Sequence, residues 1–352
     1  SAATLFVAFR ASLAQAVNQE YLDHAIEAYH TLQSAYYSQS TGIWGNAWWQ
    51  SGEVLSIIGD LAAVHSDFLP DAKAIYINTL AKAPGGGGGP GFLNAFYDDE
   101  GWWAMGWIRA YDVTHNQTYL ATAIDIFDDM TTGLGASCGG IWWSKDKQNN
   151  AAISNELFLD VAASLANRVS YDEKQKYLKY ALDEWDFLGN SAMMAKSGLV
   201  LDGLNVNKSS DMFCNASQDT PTFTYNQGVI LKALVELNKA KPNPSYLEKA
   251  ADIAKSALEI LTEDDILIEY NGPPLDPTGA QFKGAFVRNL MFLQQEAPND
   301  LFADFLRKNA DSIWENDRDS STGILGPLWQ GPFKNATMPS HNSALSCLLA
   351  AA

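Results

Sequence analysis

The chain is poor in positive charge, in cysteine and in uninterrupted apolar sequence. Its 352 residues hold 23 lysines and arginines against 41 aspartates and glutamates, a formal net charge of −18. A field of that sign repels nucleic acid, polyphosphate and anionic membrane, and leaves neutral partners such as polysaccharides. No apolar run reaches the roughly 18 residues that a membrane-spanning helix needs. The opening Ser1-Ala2-Ala3-Thr4 carries no basic segment and no long apolar stretch, so any secretory leader is expected to have been removed. His24, His30, His65, His115 and His341 show no metal-ligand spacing and no Cys-x-x-Cys pair exists, so no metal site is expected. Gly85 to Gly89 lacks the Lys-Ser/Thr of a phosphate cradle and is expected to be a flexible loop. The turn Asp317 to Gly323 places its glycine one residue late for an EF-hand and lacks the closing glutamate.

Three cysteines leave one unpaired whatever the connectivity. Cys138 and Cys214 lie in polar loops and are expected to pair, whereas Cys347 lies in an apolar tail and is expected to be a free core thiol. Four sequons, at Asn116, Asn207, Asn215 and Asn335, fit a secreted eukaryotic glycoprotein.

What the chain has in quantity is helical pattern. Tyr21-Leu22-x-x-Ala25 recurs as Tyr119-Leu120-x-x-Ala123, Tyr177-Leu178-x-x-Ala181 and Tyr246-Leu247-x-x-Ala250, each copy opening an amphipathic helix. Between these half-polar segments (roughly 20–37, 69–83, 117–131, 172–188, 245–261 and 299–316) lie others that are apolar on nearly every side: 51–63, 102–111, 157–166, 228–237, 284–293 and 343–352. A helix apolar all round is buried. An inner ring of six helices inside an outer ring of six accounts for both patterns. The expected fold is all-α, an (α/α)6 barrel, with residues 1–352 forming one domain and no linker dividing it. Small residues at Ala104, Gly106, Ala162, Ala163, Gly228 and Gly284 would let the inner helices approach closely.

Long aromatic loops precede the inner helices, and the turns that follow them are short, so function is expected at the face where the long loops meet. There Asp98 and Asp99 open the apolar helix Trp102 to Tyr111. Hydrolysing a glycoside by the commonest route needs two carboxyl groups flanking the scissile bond. Consecutive side chains on a helix diverge by roughly 100°, so this pair could flank one sugar at the roughly 5–5.5 Å typical of retaining enzymes. A helix N-terminus favours ionised carboxylates, whereas the second negative charge and burial among Trp102, Trp103 and Trp142 would raise their pKa values. Helix capping is the plainer explanation of an Asp-Asp pair at this place.

The run Tyr97-Asp98-Asp99-Glu100-Gly101-Trp102-Trp103-Ala104, followed by Trp107-Ile108-Arg109-Ala110-Tyr111, resembles glycoside hydrolase family 76, the endo-acting α-1,6-mannanases. The resemblance extends to Trp48-Trp49-Gln50, Gly140-Ile141-Trp142-Trp143, Asn155-Glu156-Leu157, Leu201-Asp202-Gly203 and Tyr225-Asn226-Gln227-Gly228, in the family's order. It implies an (α/α)6 barrel and retaining hydrolysis with no cofactor, with Asp98 as nucleophile and Asp99 as general acid/base. It further implies that Asp202 holds substrate hydroxyls, a residue that would otherwise be read as part of a turn.

Trp48, Trp49, Trp142, Trp143 and Tyr225 are candidate walls of a sugar cleft or inner-ring core. Asn46, Gln50, Asn155 and Gln227 are candidates for bonding sugar hydroxyls or for tying loops together. The expectation is a secreted, monomeric endo-α-1,6-mannanase acting on cell-wall mannan. The alternatives are a cell-wall mannan transglycosylase, whose run before the aspartates is not evident in Asn94-Ala95-Phe96-Tyr97, and a mannan-binding protein without turnover. An isoprenoid cyclase, also helical and Asp-rich, would need an aspartate where Trp102 stands.

Overall fold

The computed structural model describes residues 17–217 and 219–352, so the opening Ser1 to Thr4 lies outside the described residues. Among the described residues twelve α-helices follow one another: α1 (Gln19–Tyr36), α2 (Trp48–Val64), α3 (Leu69–Lys82), α4 (Tyr97–Thr114), α5 (Gln117–Met130), α6 (Ala152–Ala166), α7 (Tyr171–Asn190), α8 (Thr224–Ala240), α9 (Pro244–Ile260), α10 (Gly279–Glu296), α11 (Asp300–Asn316) and α12 (Met338–Ala351). The even-numbered helices pack in sequence, α2 on α4 and so on to α12, which returns to α2 and closes the ring. The odd-numbered helices lie outside. This is the (α/α)6 barrel expected from the two hydrophobic patterns.

The difference between the rings is visible residue by residue. Every residue of α6 is buried, whereas α11 buries one stripe, among it Phe302, Phe305, Leu306, Asn309 and Ile313. The recurring tyrosines 21, 119, 177 and 246 are all buried, fastening α1, α5, α7 and α9 to the ring. Four outer helices begin alike: the side chains of Asn18, Asn116, Asn243 and Asn299 each accept a hydrogen bond from the first turn of α1, α5, α9 and α11, satisfying an otherwise orphaned N–H. Inside the ring, close approach depends on missing side chains. A Cβ on Gly106 of α4 would stand 2.6 Å from the Gly52 carbonyl oxygen of α2. Three cations of this interior are paired, as burial demands: Arg109 and Arg288 share Asp60, and Lys232 meets Asp160.

Loops leading from outer to inner helices are long and gather at the N-terminal ends of the inner ring. Four of them, those before α2, α6, α8 and α10, carry or share two-stranded antiparallel ribbons: β1 (Tyr37–Ser38) with β2 (Ile43–Trp44), β3 (Asn150–Ala151) with β4 (Gly203–Leu204), and β5 (Thr262–Glu263) with β6 (Ile266–Leu267). The second ribbon joins the loop before α6 to the loop before α8. A Cys138–Cys214 disulfide, Cα to Cα 5.2 Å, joins the same two loops, and Cys347 is a buried free thiol.

These loops are held down by a repeated device. The fourth residue of an inner helix accepts a hydrogen bond from a backbone N–H of the loop before it. Ser51 accepts from Trp44, Glu100 from Asn94, Asn155 from Ile141, Gln227 from Val200 and His341 from Leu325. In α10 that place is taken by Phe282, and its loop is held instead by Asn309 of α11 and by Lys283, which donates to the Leu267 carbonyl.

Candidate active site

A cleft of about 480 Å³ opens on the face where the long loops meet. Asp98 and Asp99, the second and third residues of α4, both line it. Their partners are side chains brought by two different loops. Trp143 Nε1–H donates to Asp98 Oδ2 at 3.0 Å, and Asn94 Nδ2 donates to Asp99 Oδ2 at 2.6 Å. Asp98 Oδ1 is buried and has no partner among the described residues.

Burial pushes both carboxyls above the ordinary aspartate value of 3.8. Asp98 goes to about 8, because the charge of Asp99 adds to desolvation and outweighs the Trp143 bond. Asp99 goes to about 6, its desolvation opposed by the Asn94 bond. The pair therefore holds a single proton across neutral pH.

Aromatic surfaces make the walls. Trp49 stacks on Trp102 with ring centroids 5.8 Å apart and planes at 29°. Tyr225 lies flat on Phe282 at 3.9 Å and 6°. Phe96 packs on Trp143 at 4.7 Å. Asp202 reaches the cleft from the loop before α8, its Oδ1 accepting from the Tyr225 hydroxyl at 3.2 Å and from Asn226 Nδ2 at 3.0 Å. Burial raises its pKa against those two bonds. Glu156 is wholly buried with both carboxyl oxygens unpartnered among the described residues; burial and the nearby charge of Asp202 raise its pKa well above the ordinary range.

Of the candidates named from sequence, Asp98, Asp99, Trp49, Trp143, Asp202 and Tyr225 come together in the cleft. The other six stand elsewhere. Asn155 is fully buried, its amide nitrogen donating to Ala151, Ile141 and Asn150 and its oxygen accepting from Ile141. Gln227 likewise bonds both backbone groups of Val200 and the carbonyl of Phe223. Both are loop clamps, buried and with their amide N–H groups already engaged by the backbone. Trp48 lies against Gly86 and Gly87, where a Cβ on Gly87 would stand 2.6 Å from the indole. The glycine run is thus a cover over one tryptophan. Trp142 alternates with Trp143 and points into the core. Gln50 is buried in the first turn of α2, and Asn46 is an exposed turn residue with φ of 56°.

Phe96, Asn94, Asn149 and Phe282 belong to the site's surroundings without having been singled out. Phe96 and Phe282 give no signal that separates a cleft wall from core. Asn94 had one, since a small amide four residues before an acidic pair can fold back onto it. The four sequon asparagines are all exposed. No helix among the described residues is long and apolar enough to cross a membrane.

Comparison with known proteins comes to bear on this geometry. The sequence model of glycosyl hydrolase family 76 matches residues 12–351. No curated protein sequence matches the chain. Among solved structures, an inactive variant of the α-1,6-mannanase of Salegentibacter sp. HEL1_6, with two consecutive aspartates replaced and alpha-1,6-mannotetrose bound, superimposes with a TM-score of 0.82 at 22% identity, covering 94% of this chain and 98% of that one. A glycoside hydrolase family 76 mannosidase of Bacteroides thetaiotaomicron VPI-5482 gives 0.77 at 19% identity over 94% and 97% of the two chains. Dfg5 of Chaetomium thermophilum, in complex with glucosamine, gives 0.79 at 17% identity over 96% and 91%. At these identities the likeness is one of fold.

Proposed function

This chain belongs to glycosyl hydrolase family 76, and on that premise we propose that it is a retaining endo-acting hydrolase of α-1,6-mannan. The observation that carries the proposal is the meeting of Asp98 and Asp99 in one aromatic cleft, each held by its own side-chain donor. The Salegentibacter structure, inactivated by replacing two consecutive aspartates and holding α-1,6-mannotetrose, supports the same choice of substrate.

In the proposed reaction a mannose unit lies across the cleft with its anomeric carbon beside Asp98. Positive charge developing on that carbon favours an ionised Asp98, which moves the shared proton to Asp99. Asp99 protonates the leaving oxygen as Asp98 attacks, giving a covalent mannosyl-enzyme. Water then enters, Asp99 takes its proton, and the α-configuration is restored. Asp202 and the Tyr225 hydroxyl bind sugar hydroxyls, and Trp49, Trp143 and Phe282 offer apolar faces to the pyranose rings. The reaction uses no cofactor or metal. The protein is proposed to act outside the cell as a monomeric, single-domain glycoprotein, its exposed sequons and strongly acidic, nucleic-acid-repelling surface suiting a neutral polysaccharide.

Incubation with linear α-1,6-mannan tests the proposal. The expected result is new reducing ends with falling chain length. Redistribution of chain lengths without new ends would identify a transglycosylase, and binding without either change a mannan-binding protein. Azide rescue tests the two roles. Asp98→Ala with azide and an activated α-mannoside is expected to yield the β-mannosyl azide, and Asp99→Ala the α-anomer; the opposite assignment would exchange the products.

A further inference from the structure

We propose that Glu100 is a positioning residue, one of whose carboxylate oxygens holds in place both side chains that donate hydrogen bonds to the aspartate pair. Glu100 is wholly buried, and burying a carboxylate is costly unless it is paired. Its Oε1 accepts from the backbone N–H of Asn94 at 3.0 Å and from Lys145 Nζ at 2.8 Å. Asn94 is the residue whose amide reaches Asp99. Lys145 follows two places after Trp143, whose indole reaches Asp98. One oxygen atom therefore joins the segment serving Asp99 to the segment serving Asp98.

The surroundings favour this use of the residue. Lys145 bridges Glu100 and Asp129 of α5, at 2.8 Å from each, which fixes its long side chain between two elements of the barrel. The Trp143–Lys145 segment also pairs with Ala95–Tyr97 through the backbone, Tyr97 N–H to Trp143 at 3.0 Å and Lys145 N–H to Ala95 at 2.9 Å. Glu100 and Lys145 close the open end of that short ribbon. Without Glu100, Asn94 loses the contact that holds its backbone at the mouth of α4, and Lys145 keeps only Asp129. The side-chain donors to both aspartates then lose their fixed alignment, which weakens the bonds that favour the ionised forms, so both carboxyls titrate at higher pH.

The inference rests on the reading of Asp98 and Asp99 as the catalytic pair, and its test does not need the substrate. With ¹⁵N-labelled indoles, the Trp143 Nε1–H resonance is assigned by its loss in Trp143→Phe. In the parent protein it is expected to follow the titration of Asp98, to which the indole donates. Glu100→Leu is expected to shift that resonance toward the position of an unbonded indole and to uncouple it from the titration. Glu100→Gln, which keeps an acceptor for the Asn94 N–H but not the ion pair, is expected to fall between the two, and it carries the same test if the leucine variant does not fold. On mannan, Glu100→Leu should lower kcat by about 100-fold, the scale of a roughly 1 Å misplacement, with a smaller change in KM and both limbs of the pH profile moved upward. A variant that loses thermal stability while keeping the indole resonance and its titration would reduce Glu100 to a structural role and overturn the inference. Should the indole respond as expected while mannan stays uncut, the positioning role stands and the substrate assignment falls.

Discussion

Asp98 and Asp99 are adjacent in sequence, and their opposed requirements come from their surroundings. Burial raises both, mutual repulsion raises Asp98 further, and hydrogen bonds restrain them, from the Trp143 indole and the backbone for Asp98 and from Asn94 for Asp99. Because the proposed reaction needs one proton on the pair, kcat/KM should be bell-shaped, falling below about pH 6 as both are protonated and above about pH 8 as both ionise. A flat profile from pH 5 to 9 would contradict it. The same shifts carry a stability cost of known sign. A carboxyl whose folded pKa lies above its unfolded value contributes stability below the unfolded value, 3.8 here, and loses that contribution as pH rises through the folded one. Asp98→Asn should therefore melt several degrees higher than the parent at pH 8 and no higher at pH 4, measured by scanning calorimetry. At this scale the sequence was partly legible. The acidic pair stood out because charge at the mouth of an apolar helix has few explanations. The amides of Asn155 and Gln227 did not, because an amide suited to a sugar hydroxyl is equally suited to a backbone N–H and C=O.

At the scale of elements, the clamp at the fourth position of five inner helices accounts for two of the candidates that stand outside the cleft, Asn155 and Gln227. Ser51, Glu100, Asn155, Gln227 and His341 differ in chemistry, so no repeated letter announces them, yet each offers an acceptor at one register position. Asn155→Ala and Gln227→Ala should each destabilise the protein by about 1–3 kcal/mol, the cost of leaving a buried backbone group unpaired. That loss should appear in denaturant unfolding without any sugar present. A variant with unchanged stability and a raised KM would make the amide a substrate contact after all. The glycine run before α4 was expected to be a flexible loop, and its Gly86 and Gly87 instead accommodate the Trp48 ring. Sequence alone does not tell which of two adjacent tryptophans a loop will cover.

For the molecule as a whole, the barrel was legible because its two helix types differ in how many sides are buried. Six segments apolar all round cannot face water, and six amphipathic ones can cover them, which leaves a closed double ring as the economical solution. The direction of the chain then puts every long loop at one end, and the cleft with it. What pattern could not supply was the depth of that cleft or the partners of its acids, which depend on contacts between the loops before α4, α6 and α8. The central claim is that two neighbouring aspartates in this cleft cut α-1,6-mannan with retention. Proton NMR of linear α-1,6-mannan during the first moments of reaction tests it most directly. The account predicts that new α-anomeric reducing ends appear first and mutarotate later, and that Asp98→Asn and Asp99→Asn each slow their appearance by roughly 10²–10⁴-fold. A β-anomer appearing first, or ends released at the parent rate by either variant, would contradict it.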